Sequence, residues 1–92
     1  MNTTEIAVLL TTPSDNVLAA ARLIADKLIL AGAVMGDVES EGEDCPVEVN
    51  SVNKVGTKYD IEMFFFIDHL PEHSHVELDA ILGDDVLVSV IS

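Results

Sequence analysis

The sequence predicts an α+β fold in which four strands form one antiparallel sheet and two helices cover one of its faces. Three observations carry this. Apolar and polar residues alternate with a period of two from Tyr59 to Asp68. Apolar residues recur at helical spacing between Pro13 and Gly32. Taken in chain order, the segments read strand, helix, strand, strand, helix, strand.

Residues Ile6-Ala7-Val8-Leu9-Leu10-Thr11-Thr12 are apolar at both alternating sets of positions. That pattern suits a central strand covered on both sides, or one covered on one side and paired with a partner on the other. Thr12 then has the chemistry of an N-cap, with Pro13 at the first helical position and Asp15 where a capping-box acid falls. The helix is expected to run to Leu30 or Ala31 and stop at Gly32. Val17, Ala21, Ile24 and Leu28 form its core stripe, and Asp15, Ala19, Arg22 and Asp26 its polar stripe. Leu18, Leu23, Ile29 and Leu30 widen the apolar arc beyond what one sheet face requires.

Ala33-Val34-Met35 has the composition to begin a strand. The stretch from Gly36 to Cys45 reads as a long loop or a strand interrupted by a bulge, and Pro46 is expected to open or interrupt the strand around 47–52, since proline is confined to strand starts, edges and bulges. Asn53 to Lys58 reads as a hairpin connection. In the strand that follows, Tyr59, Ile61, Met63, Phe65 and Ile67 form the core face. Asp60, Glu62, Phe64, Phe66 and Asp68 form the other. Pro71 leads to a second helix, where Ser74-His75-Val76-Glu77 has capping-box spacing and Val76, Leu78, Ile81 and Leu82 supply an apolar face. Gly83 stops this helix, and Val86 to Ile91 is the last strand. The order βαββαβ is that of a ferredoxin-like fold, and residues 1–92 read as a single domain without repeat or linker.

Composition bounds the function. Of 92 residues, 17 are acidic and 4 basic, for a formal net charge of -13, while 49% are hydrophobic, enough for a folded core. Four scattered cations cannot neutralise a phosphate backbone, so direct nucleic-acid binding is excluded, and an anionic membrane surface with it. No apolar run approaches the roughly 18–20 residues of a membrane span. The opening Met1-Asn2-Thr3-Thr4-Glu5 lacks the basic segment of a signal peptide, and the lone Cys45 has no internal disulfide partner. The expectation is a cytoplasmic protein.

Three constellations could carry function. Asp37, Glu39, Glu41, Glu43, Asp44 and Glu48 fall within twelve residues that hold no base. As a solvated loop they need no partner. As a binding element they would imitate a phosphate backbone and occupy the Lys/Arg cleft of a nucleic-acid-binding protein. Phe64 and Phe66 lie on the sheet face away from the helices, where an apolar patch marks an oligomer or docking interface unless the acidic loop folds over it. His69, His73 and His75 are the only histidines, with Asp68 and Glu72 beside them. Imidazole and carboxylate suit a divalent transition metal, although Pro71 breaks the helix that would align the rings. Nothing points to catalysis. Cys45 sits among acids, no Gly-x-Ser-x-Gly elbow or phosphate-cradling glycine loop is present, and Asp84-Asp85, which could bind Mg²⁺, reads rather as a solvated turn.

The segment Ile6-Ala7-Val8-Leu9-Leu10-Thr11-Thr12-Pro13-Ser14-Asp15, the alanine-rich helix after it, Leu30-Ala31-Gly32-Ala33-Val34 and the strand Tyr59-Asp60-Ile61-Glu62-Met63 resemble the CutA family over the first two-thirds of the chain. The resemblance implies the ferredoxin-like fold shared with P-II proteins, a trimer, and a link to divalent cations. The chain departs from the family pattern in having no Trp, no Cys near the end of the first helix, and Ile67-Asp68 where Lys-Thr usually closes the third strand.

Three functions are therefore expected as alternatives. The first is a non-enzymatic, acidic, homo-oligomeric protein, dimer or trimer. It docks on a basic protein surface through its acids and inhibits a nucleic-acid-binding or defence protein by charge mimicry, as a viral or host-defence factor would. The second is a CutA-like or P-II-like oligomer that binds a divalent metal or a small ligand, with His69, His73 and His75 as candidate ligands and no other cofactor. A housekeeping domain whose acids hold hydration at high salt is a third.

Overall fold

The computed structural model describes residues 4–40, 45–71 and 75–91, and for 75–77 the backbone only. The elements are β1 (Thr4–Thr12), α1 (Val17–Leu30), β2 (Val47–Val55), β3 (Lys58–Ile67), α2 (His75–Leu82) and β4 (Val86–Val90). The strands form one antiparallel sheet in the order β2-β3-β1-β4. This is the α+β ferredoxin-like arrangement. β1 and β3 are central and β2 and β4 are the edges.

The core lies between the helices and one sheet face. In β1 the residues Ile6, Val8 and Leu10 stand opposite Phe65, Met63 and Ile61 of β3, and all are buried. Val86 and Val88 of β4 continue the same layer beside Leu10 and Val8. From above come Ala20, Ala21, Ile24, Ala25 and Leu28 of α1, and Leu78 and Leu82 of α2. The small residues of α1 let it approach the sheet closely, and Ile24 and Leu28 fill the space between. No polar or charged side chain is buried among the described residues, so the apolar layer carries no desolvation penalty. Leu18, Leu23, Ile29 and Leu30 remain exposed, Leu30 at 87%.

The start of α1 differs from the sequence expectation. Thr12 stays in the sheet, paired with Tyr59, and the N-cap is Asn16. Its Oδ1 accepts the Ala19 N–H at 3.1 Å, and its carbonyl accepts the Ala20 N–H, the first helical bond. Thr12 and Ser14 instead form side-chain turns, accepting from the Ser14 and Asn16 N–H groups. The ladder to β3 holds Thr12 extended, and Asn16 is the next good cap.

The C-terminus of α1 follows the expectation closely. Gly32 takes a φ of +101°, its N–H donates to Ile29 O at 2.9 Å, and the Ala33 N–H donates to Leu28 O at 3.0 Å. These are the two bonds of a Schellman motif. Ala33-Val34-Met35 does not begin a strand. Val34 alone makes an antiparallel bridge, to His69, and the chain reaches β2 only after the acidic stretch. Pro46 precedes β2 as expected, and its carbonyl accepts the Phe66 N–H at 2.7 Å.

The β2-β3 hairpin is tighter than the sequence suggested. Val55 pairs with Lys58, so the loop is Gly56-Thr57 only, and Gly56 takes the positive φ (+64°) of the first position of a type II′ turn. The pairing slips by one residue at Asn50, a β-bulge between Val49 and Ser51.

Candidate functional site

The second face of the sheet carries no helix among the described residues. Strand alternation assigns its residues. β1 contributes Glu5, Ala7, Leu9 and Thr11, and β3 contributes Asp60, Glu62, Phe64 and Phe66. Glu48 of β2 stands opposite Phe64, and Leu87 of β4 opposite Leu9. Cross-strand neighbours of this kind lie within side-chain contact. Leu87, Leu9, Ala7 and Phe64 thus form a diagonal apolar strip, with Phe66 beside it next to Glu5. Ala7 is small, which leaves room for the Phe64 ring. Phe64 and Phe66 are half-buried by their strand neighbours, whereas Leu87 is 66% exposed.

Carboxylates surround this strip. Glu5, Glu48, Asp60 and Glu62 all belong to the open face, and the one base there is Lys58, at the hairpin end. Two of the acids are held in place. Thr11 Oγ1 donates to Asp60 Oδ1 at 2.8 Å, and the Asn50 amide, displaced by the bulge, donates to Glu62 Oε1. The face therefore offers an apolar centre with an anionic rim, of which Asp60 and Glu62 are oriented. Such a surface suits a partner that brings aliphatic or aromatic contacts flanked by Lys or Arg.

The acidic stretch is divided by the fold. Asp37 and Glu39 lie on the helix side, where with Gly36 and Val38 they border a shallow groove against Arg22, Ala25, Asp26 and Ile29 of α1. Val38 packs against the core. Asp37 Oδ1 accepts the Glu39 N–H at 2.9 Å, and Glu39 Oε1 is 2.8 Å from Arg22 Nη1. Glu48 is on the opposite side of the sheet. Glu41, Glu43 and Asp44 lie outside the described residues. As far as residue 40, then, the loop folds over α1 and leaves the Phe64–Phe66 face uncovered. Cys45, half-buried, donates its thiol to Val47 O at 3.4 Å and lies 3.7 Å from Val38 O, joining the two ends of this loop.

Of the histidines, His69 is exposed and its backbone pairs with Val34. His73 lies outside the described residues, as does the side chain of His75. Among the described residues no three His, Cys, Asp or Glu side chains are grouped to hold a metal ion. Asp84 and Asp85 are exposed in the turn before β4, where the Asp85 carbonyl accepts the Thr11 N–H at 2.9 Å. No described helix is long and apolar enough to cross a membrane.

Sequence reasoning placed Asp60 and Glu62 on the face of Phe64 and Phe66 but did not single them out, and it left open which residues of the first and last strands join them. The alternation in β3 was the available signal. The register that brings Glu5, Leu9 and Leu87 alongside is a property of pairings across the whole chain. The chain matches no known family model, no curated protein and no solved structure.

Proposed function

We propose that the protein is a non-enzymatic acidic binding protein that docks on a basic protein surface, and that it inhibits a nucleic-acid-binding or defence protein by taking the place of a phosphate backbone. The observation that supports this is the open sheet face, an apolar strip of Leu9, Phe64 and Leu87 bordered by Glu5, Glu48, Asp60 and Glu62. A net charge of -13 steers the molecule toward cationic surfaces and speeds encounter. On contact the strip excludes water, which strengthens the pairing of the rim carboxylates with Lys and Arg. Oriented carboxylates on a rigid sheet lose less entropy on binding than carboxylates on a loop. Asp37 and Glu39, on the far side, contribute to the long-range field rather than to the contact. Glu48 contributes to both.

The test is displacement. A Lys/Arg-rich DNA-binding protein is loaded with a labelled duplex and titrated with this protein at low and at high salt. Release of the duplex at low salt, lost at high salt, supports the reading. Salt-independent release, or none, overturns the charge mechanism. Light-scattering mass with and without divalent metal tests the CutA-like alternative, which requires a stable trimer that metal tightens.

A further inference from the structure

We infer that the free edge of β4 is a second docking element, one that takes an extended basic segment of the partner as a fifth strand. The inference rests on the charge-driven reading above and adds a mode of attachment to it. β4 ends the sheet, and its hydrogen-bonding phase is fixed by two bonds at its ends. The Thr11 N–H donates to Asp85 O at 2.9 Å, and the Ile91 N–H donates to Glu5 O at 2.8 Å. Residues 85, 87, 89 and 91 therefore turn their peptide groups toward β1, and Val86, Val88 and Val90 turn theirs outward. The Val86 N–H is taken by Gly83 O at 3.3 Å. The outward N–H and C=O groups of Val88 and Val90 meet no described residue.

Sheet edges of soluble proteins are usually blunted by a bulge, a proline or a lysine. β2, the other edge, has a bulge at Asn50 and a lysine, Lys54, within it, and Pro46 immediately before it. β4 has none of them. Its five residues, Val86-Leu87-Val88-Ser89-Val90, form a regular and uncharged ladder. An edge left open in this way is a template for strand addition.

Charge selects the occupant. Beside the start of β4 a shallow concavity is lined by Asp79, Ala80, Gly83, Asp84, Val86 and Leu87. A strand added to β4 sends alternate side chains to the helix side, and the one level with Val86 falls beside Asp79 and Asp84. A Lys or Arg there lays its aliphatic stem on Ala80 and Val86 and carries its charge to the carboxylates. The intervening side chains fall on the open face next to Leu87, where apolar residues extend the strip. A second copy of this chain, itself at -13, meets repulsion on approach. The fitted ligand is thus a segment in which basic and apolar residues alternate.

The probe is a short capped peptide of alternating Lys and Val, with a Glu and Val peptide as its counterpart, titrated into the isotope-labelled full chain. Expected is saturable binding of the Lys peptide alone, with amide exchange at Val88 and Val90 slowed at least about tenfold, as pairing of edge amides implies. Asp79→Asn combined with Asp84→Asn should weaken binding about 3–10-fold, the range for two exposed charge pairs. Val90→Pro removes an outward donor without touching the β1 ladder and should also weaken it. Binding of the Lys peptide with unchanged exchange at Val88 and Val90 overturns strand addition while leaving the charge-driven reading intact. Equal binding of the Glu peptide overturns the cation preference. Protection of Val88 and Val90 that needs no peptide and grows with protein concentration overturns the proposal in favour of a second copy. Failure of the Lys peptide to bind overturns it too, and if the duplex-displacement test also fails, both readings fall.

Discussion

Gly32 and Pro71 meet so closely that a Cβ on Gly32 would lie 2.9 Å from Pro71 Cγ. The contact joins the end of α1 to the approach to α2, and the chain there is already at φ +101°. Gly32→Ala is therefore opposed twice, by the left-handed backbone and by the proline ring. We expect it to lower stability by about 1–3 kcal/mol, within the usual range for a strained backbone position. Thermal or urea unfolding checks this, and a loss no larger than that of Gly56→Ala, where no atom lies within 4 Å, would show that the proline contact is immaterial.

Phe64 and Phe65 are neighbours in β3 with opposite duties. Phe65 is fully buried opposite Ile6, and its truncation to Ala should cost about 3–5 kcal/mol. Phe64 is half-buried on the open face, and its truncation should cost about 1 kcal/mol, in proportion to the area it loses. The order reverses for docking. Phe64→Ala should weaken binding to a basic partner roughly 5–30-fold, as truncation of an aromatic anchor does. Unfolding and binding measured on the same two variants check both halves.

The helix cap offers a sharper contrast. Asn16→Ala removes the acceptor of the Ala19 N–H and should cost about 1 kcal/mol. Thr12→Ala leaves that bond in place and should cost less. Paired unfolding curves decide between Asn16 and Thr12 as the residue that starts α1.

The pair Arg22–Glu39 holds the described acidic turn against α1, and both side chains are more than half exposed, 58% and 53%. Arg22→Ala should therefore change global stability by less than about 0.5 kcal/mol, and less again in high salt. It should nevertheless speed amide exchange at Glu39 and Ser40, whose N–H groups donate to Asp37 within that turn. Exchange rates measured on wild type and variant separate the local effect from the global one.

The β3 alternation made both sheet faces legible in the sequence, because one residue of period two fixes all the others. Gly32 and Gly83 were legible as helix stops for an equally local reason, their φ values of +101° and +102° being ones that other residues rarely adopt. The start of α1 was not legible. Thr12-Pro13 and Asn16 both carry start signals, and the choice falls to the pairing of Thr12 with Tyr59, forty-seven residues away. The bulge at Asn50 and the folding of residues 36–40 onto α1 have the same character, set by Glu62 and by Arg22 across the fold. The candidate face was half legible. Phe64, Phe66 and the acids interleaved with them could be read from one strand, whereas the contributions of Glu5, Leu9 and Leu87 depend on register between strands.

Two of the chain's four cations are engaged within the fold, Arg22 by Glu39 and Lys27 by the carbonyl of Leu82 at 2.8 Å. The other two, Lys54 and Lys58, flank the Gly56-Thr57 turn at a single tip, with Asp60 and Asp85 the acids nearer that end and Glu5, Glu48 and Asp68 toward the opposite end of the strands. The hairpin tip thus gathers two of the four cations of a molecule that is otherwise dominated by acids. A cationic surface repels those two lysines while it attracts the acids, so the turn itself is the part of the sheet that contact favours least. Thr57, exposed at this tip, is the position where a fluorophore or a surface tether would leave the docking faces clear.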